Sequence, residues 1–245
     1  MSLPKLAVSK YSLKLPSSGQ ELKFRPFLVK EEKILLMALE SGDEKDILRA
    51  IRQILSNCLL TDLNVEHLPL FDLQYIFLQI RSRSIGETIE VNLKHKNNLN
   101  KNGESCDGTQ KVKINIDEIK PVKNKENEPN IKLSKEMGIM MKYPTVELLG
   151  QVTNSTEMNG MIDDLFEVVV GSIDYIYHND EIYHANEYKK EEITEFLNNL
   201  NSQQFDQIRS FFSTMPTIFV SKKYRCKKCG VEEEVVLSTL EDFFS

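Results

Sequence analysis

Near the end of the chain, Cys226-Lys-Lys-Cys229-Gly230 sets two thiols three positions apart and follows them with a glycine. This knuckle has the form of half a tetrahedral zinc site. Its spacing lets both sulfurs face one ion, and the glycine admits the positive φ that turns backbone amides toward sulfur. A structural zinc takes four ligands, and the 245 residues hold no second Cys-x-x-Cys. Where the other half lies decides how the fold closes.

The residues around the knuckle predict a hairpin, with strands at Thr217–Arg225 and Glu232–Leu237. A second hairpin is predicted earlier. Glu87–Lys94 alternates, with Ile89, Val91 and Leu93 on one face; Lys96–Gln110 is a polar loop, and Lys111–Ile116 returns. The two hairpins repeat one another. Each follows a helix that ends in a break, and each finishes in an acidic turn, Asp117-Glu-Ile119 in one and Leu240-Glu-Asp242 in the other. Where the second carries its knuckle, the first carries His95 and Cys106-Asp-Gly108.

One reading is a split Cys3His site of Cys226, Cys229, Cys106 and His95 holding a structural zinc, which would close a long loop of chain. The other is a metal-free pair of hairpins. His95 and Cys106 stand 11 positions apart, wider than ordinary ligand spacing. A catalytic zinc would need an open coordination position and a nearby general base, and no motif supplies both.

The rest of the chain predicts an α+β body. Tyr11–Leu15 and Leu22–Phe24 read as short strands around Pro16-Ser-Ser-Gly19. Ile34–Leu39 is helical and stops at Gly42. The next helix runs from Asp43 or Glu44, with Ile47, Leu48, Ile51, Ile54, Leu55 and Cys58 on one face, so Cys58 is expected to be a buried core thiol. Leu70 to about Ser82 is a third helix. Lys120–Asn130 reads as a flexible linker. Beyond it come short strands at Ile131–Leu133 and Gly138–Tyr143, and helices at Pro144–Leu149 and Met158–Gly171. A hairpin turns at Asn179-Asp180, and helices follow at Glu191–Leu200 and Gln203–Phe212. This divides the chain into a region 1–120 ending in the first hairpin, a linker 121–130, and a region 131–245 ending in the knuckle hairpin, with one compact domain as the alternative.

Other chemistry is sparse. The acidic pairs Glu31-Glu32, Asp163-Asp164 and Glu191-Glu192 fall near predicted helix starts, where they complement the dipole. His178 and His184 bracket the Asn179-Asp180 turn and are expected to face one another; His67 has no partner motif. No phosphate loop or nucleophile elbow is present. Two basic clusters stand out, Arg81 with Arg83, and Lys222, Lys223, Arg225, Lys227 and Lys228. They read as solvated edges that discourage strand aggregation, or as docking edges. The formal net charge of −6 and the facing Glu232-Glu-Glu234 run weigh against phosphate binding, so a protein partner fits better. A zinc-ribbon nucleic-acid-binding module is the alternative. Four cysteines in a chain this long are no disulfide scaffold. The start shows no secretory signal, and no apolar run reaches the roughly 18–20 residues of a membrane span.

The order of segments resembles the baseplate hub protein family of T4-like contractile-tailed phages. Four stretches carry the resemblance: Leu22-Lys-Phe-Arg-Pro-Phe-Leu-Val-Lys-Glu-Glu32; Asp72-Leu-Gln-Tyr-Ile-Phe-Leu-Gln-Ile-Arg-Ser-Arg-Ser-Ile-Gly-Glu87; Tyr188-Lys-Lys-Glu-Glu-Ile-Thr-Glu-Phe-Leu197; and Cys226-Lys-Lys-Cys229-Gly230 with Leu240-Glu-Asp-Phe-Phe244. Relatives of this kind often carry two cysteines in the first hairpin, and His95 stands in place of the first. The resemblance implies a non-enzymatic structural or assembly role in the tail baseplate. Its partners would be other baseplate or hub proteins, with oligomer formation there. The protein would act in the host cytoplasm during assembly and in the virion tail.

Overall fold

The computed structural model describes residues 6–94, 106–117, 119–122, 124–151 and 158–237. It is α+β, with helices and small antiparallel sheets. Two compact units form. Unit 1 comprises residues 1–65, 71–122 and 217–245, and unit 2 comprises 66–70 and 123–216. The expected division is corrected here: the knuckle hairpin belongs with the first hairpin in unit 1, not with the region that precedes it in sequence. The reason lies in the apolar faces. Ile89, Val91, Val112 and Ile114 of one hairpin, and Val235 and Leu237 of the other, are too few to form two cores, and they share one with Leu78, Ile116, Ile119 and Ile218.

Unit 1 opens with a hairpin of β1 (Tyr11–Lys14) and β2 (Glu21–Phe24), in which Leu13 pairs with Leu22. Helix α1 (Val29–Ser41) ends at Gly42, whose φ of 67° makes the left-handed cap. Helix α2 (Glu44–Cys58) starts at Asp43, whose carboxylate accepts from the Lys45 N–H. Its apolar stripe is buried as the spacing requires. Ile51, Ile54, Leu55 and Cys58 are fully buried, and burial pushes the Cys58 thiol up to about 11. Helix α3 (Leu70–Ser84) is buried on most of its surface, including Asp72, Arg81 and Ser82. Two antiparallel hairpins complete the unit, β3 (Thr88–Lys94) with β4 (Thr109–Asn115), and β9 (Val220–Arg225) with β10 (Glu232–Leu237).

One acidic pair acquires a specific role. Glu31 is buried in the first turn of α1 and meets Arg25 at 3.0 Å, while its other oxygen accepts from the Leu28 N–H at 2.9 Å. Burial works to raise its pKa. The Arg25 and Leu28 hydrogen bonds outweigh it and hold the carboxyl below its ordinary value.

Unit 2 is a four-stranded antiparallel sheet in the order β5 (Asn130–Lys132), β6 (Met137–Met141), β7 (Ile173–His178), β8 (Glu181–His184). Its inner face, Ile131, Ile139, Met141 and Ile173, packs on α5 (Met158–Gly171), α6 (Lys190–Asn198) and α7 (Ser202–Ser213). Short α4 (Val146–Gln151) also belongs here.

Three further expectations change. The flexible linker is corrected: Val122 is bridged to Thr217, and Asn127 is buried, donating to the Phe211 carbonyl at 2.8 Å and to Thr214 Oγ1 at 3.1 Å while accepting from Tyr143 at 2.8 Å. A polar residue in a Lys- and Asn-rich stretch thus serves as a tie because all its bonds are met. His178 and His184 do not face each other; the strand register pairs His178 with Glu181 and His184 with Tyr175. Asp163 and Asp164 lie beyond the first turn of α5. The closing turn at Leu240–Phe244 lies outside the described residues.

Candidate metal centre

The register of the two hairpins brings three cysteines together. Arg225 pairs with Glu232, so Cys226 leaves β9 just as the strand pairing ends, and the chain turns through Cys229 and Gly230. The turn is closed by Gly230 N–H to the Cys226 carbonyl and by Cys226 N–H to the Val231 carbonyl, both at 2.8 Å. Gly230 has φ 71°, the conformation anticipated for it. Cys106 arrives from the other hairpin just before β4.

The sulfurs of Cys106, Cys226 and Cys229 all lie within 4.8 Å of one another. Cys106 and Cys226 are buried, with Sγ···Sγ 3.9 Å, and Cys229 is half-buried. That separation discriminates between bonding modes. A disulfide would need about 2.05 Å. Zn–S bonds of about 2.3 Å at tetrahedral angles put sulfurs about 3.8 Å apart. The donor set is soft, and thiolates select ions such as zinc. The backbone completes the fit. Cys226 Sγ receives N–H groups of Cys229 and Lys228, which hold its pKa below the ordinary thiol value. Cys229 Sγ receives the Val231 N–H, which works to lower its pKa; burial and the two neighbouring sulfurs outweigh this and push it up. A cation is the group that would let three such close sulfurs ionise together.

Gly108 sets how closely the hairpins approach. A Cβ there would stand 2.6 Å from Cys226 Sγ and 3.2 Å from Cys106 Sγ and from Lys228 Cβ. Sequence reasoning placed Gly108 beside Cys106 without giving it this part, although Cys229-Gly230 carries the same signal. Across the rim, the Lys228 ammonium pairs with Asp107 at the surface, 121 positions away in sequence.

Of the four anticipated ligands, three converge; His95 lies outside the described residues. The basic residues disperse. Lys223, Arg225 and Lys227 are exposed along the knuckle hairpin, opposite Glu234 and Glu232 in the strand register. Arg225 Nε donates to the Gly230 carbonyl at 3.0 Å, and Lys222 donates to the Lys113 carbonyl of the other hairpin. Arg83 pairs with Glu87 at 2.9 Å and Asp117 at 3.0 Å, and lies over the Tyr11 ring. Arg81 corrects the docking expectation. Its side chain is inside the unit, 6% exposed, and Nη1 has no hydrogen-bond partner among the described residues. Desolvation by burial holds its pKa below the ordinary value. The helical stripe of α3 gave no sign of this, since Arg81 follows Ile80 in the basic end of the helix.

No described helix is long and apolar enough to cross a membrane. Comparison with curated proteins and with solved structures returns no match. A family model described as T4 bacteriophage base plate protein matches residues 8–245.

Proposed function

Because the chain belongs to the T4 bacteriophage base plate protein family, we propose that it is a component or assembly factor of the baseplate hub, acting through protein–protein contacts. The observation that carries this reading is the family match over 8–245, which takes in both units and all four segments of the resemblance. Its partners are other tail baseplate and hub proteins. It joins them in the host cytoplasm, stays with the virion tail, and oligomerises there. Its contact residues are Arg83 of α3 and an edge on the knuckle hairpin, Lys222, Lys223, Arg225, Lys227 and Lys228. The acidic strand that faces this edge, Glu232–Glu234, favours a protein surface of mixed charge over a phosphate backbone. The part is structural, not enzymatic.

The cysteine cluster belongs to the same proposal as a structural zinc site, with His95 as fourth ligand and the two hairpins as a repeated zinc-ribbon-like pair. The strand registers support this. Cys226 follows Arg225, whose partner is Glu232, and Cys229 stands three positions before that partner. His95 follows Lys94, whose partner is Thr109, and Cys106 stands three positions before it. His95 and Cys106 thus hold the same offsets as Cys226 and Cys229, and the separation of 11 positions between them is an insertion between two ordinary ligand positions. Zinc would neutralise the thiolates and hold the hairpin tips together.

Two measurements test the proposal. Co-expression with the neighbouring tail proteins, followed by size-exclusion chromatography, should give a common peak; separate elution from every tail protein would overturn the hub reading. Elemental analysis of protein purified without chelator should give about one zinc per chain, and a value below about 0.2 would sink the metal site.

A further inference from the structure

The contact surface with the clearest chemistry lies in unit 2. Between the inner face of the sheet and α6 the apolar core is left open as a cavity of about 380 Å³. It is lined by Met137, Ile176, Tyr183, Tyr188, Ile193 and Phe196, with Glu192 at its wall. This size fits one bulky side chain and lies at the lower end for ligand pockets. Tyr183 comes from β8, the edge strand of the sheet, which is hydrogen-bonded to β7 on one side. Glu181, Ile182 and His184 of β8 are exposed, and so is Tyr188 at the mouth.

Charge says what kind of chain would cover this surface. By sequence, unit 2 carries 8 Lys and Arg against 17 Asp and Glu, a formal −9, whereas unit 1 carries 23 against 20, a formal +3. Four of these acids, Asp180, Glu181, Glu187 and Glu191, stand within two positions of a lining residue. All four are exposed, and none makes an ion pair with a described residue. Of the two cations at the start of α6, Lys190 is engaged with Glu167 at 2.7 Å and Lys189 is exposed, so the four exposed acids outnumber the free positive charge there. An apolar slot with an acidic rim, beside a strand edge that no described strand pairs with, is the complement of an extended basic segment bearing one large apolar side chain.

We propose that β8 and this cavity receive such a segment from another tail protein. The segment pairs with the β8 edge as a fifth strand, seats a Phe- or Leu-sized side chain among Ile176, Tyr188, Ile193 and Phe196, and sets Lys or Arg against Glu181, Glu187 and Glu191. This deepens the contact reading above by naming the surface and the partner's chemistry.

The test uses the full chain and a fluorescein-labelled peptide, Thr-Arg-Thr-Phe-Thr-Lys-Thr, whose alternation puts Arg, Phe and Lys on one face of a strand. Two control peptides carry Ser for Phe, or Glu for every basic residue. Anisotropy should saturate with the first peptide at a Kd of about 100 µM or tighter, and each control should bind at least tenfold more weakly. A Glu187→Lys/Glu191→Lys variant, with both changes on exposed positions, should stay folded, with a melting temperature lowered by no more than a few degrees because Glu191 sits in the first turn of α6, and should lose at least tenfold in peptide affinity. No saturable binding by about 1 mM, or equal affinity for the variant, overturns the proposal. The two readings fail separately. If this variant still elutes with the tail proteins, this surface is wrong and the hub reading stands. If the peptide binds as expected while wild-type protein elutes alone, the hub reading falls and the surface stands.

Discussion

The two units each tie together stretches of chain that are far apart, by different chemistry. Unit 1 brings Cys106 to Cys226 and Cys229, across 120 positions, through three sulfurs. Unit 2 brings Asn127 to Phe211 and Thr214, across 84 and 87 positions, through one amide whose bonds are all made. The amide tie needs geometry alone. The sulfur tie needs something further, since three close thiolates repel and three close thiols bond weakly. With a metal among its sulfurs, unit 1 would have a stability that depends on what surrounds it, and unit 2 would not. Chelators, acid and oxidants should find unit 1 and spare unit 2.

The largest effect is expected from breaking the sulfur tie. Cys226→Ser, or removal of metal with a strong chelator, should cost unit 1 roughly 3–5 kcal/mol, because metal binding to a site absent from the unfolded chain is folding free energy. Hydrogen exchange read by segment is the check: β9 and β10 should exchange much faster while β5–β8 stay protected. Acidification should act in the same direction, since thiolate ligands must be deprotonated to hold the ion. If Cys226→Ser costs only about 1 kcal/mol and chelator changes nothing, the sulfurs are an ordinary buried cluster and the contrast between the units disappears.

The next effect sharpens the other side. Asn127→Leu removes three hydrogen bonds from a buried position and should cost about 2–3 kcal/mol, with the same value in chelator and in zinc. Urea unfolding monitored by exchange in β5–β8 measures it. A loss that grew on chelation would mean that the two ties are coupled, and the comparison would have to be redrawn as one cooperative system.

Gly108→Ala is expected to act only where the sulfurs meet. The added methyl would stand 2.6 Å from Cys226 Sγ, so the hairpins must part. A loss of about 1–2 kcal/mol in unit 1 should come with at least tenfold weaker zinc in a chelator competition. Unchanged zinc affinity would show that the ligands reorganise freely and that the hairpin approach is not set here.

What could be read from the sequence follows from the range of the interaction concerned. The α2 stripe, the Gly42 cap, the Gly230 turn and the ends of β10 were legible because each depends on residues within a few positions. Cys226 and Cys229 stood out by their local spacing, and Cys106, which lies beside them in the structure, was singled out because a repeat carried the long-range information that local pattern lacks. The division of the chain was misread for the converse reason. A Pro-, Lys- and Asn-rich stretch resembles a linker, and nothing near Asn127 in sequence announces that its amide is met by α7. Arg81 belongs to the same class. Its charge suggests surface, and only the packing around α3 puts it inside.

Arg81 also supplies the smallest and most informative prediction, because it is the counterpart of Asn127. Both are buried polar side chains; Asn127 has every bond made, whereas Arg81 Nη1 has no partner among the described residues. A buried cation with no paired acid, as Arg81 has none among the described residues, has its desolvation cost largely unreturned, and an apolar side chain of similar length avoids that cost. Arg81→Met should therefore leave unit 1 within about 1 kcal/mol of wild type, on the stabilising side, where a buried residue would ordinarily lose stability on substitution. Chemical denaturation with exchange read on α3 measures it. A loss of about 3 kcal/mol would mean that the guanidinium does have an anionic partner in the folded protein, and that unit 1 holds a second tie besides its sulfurs.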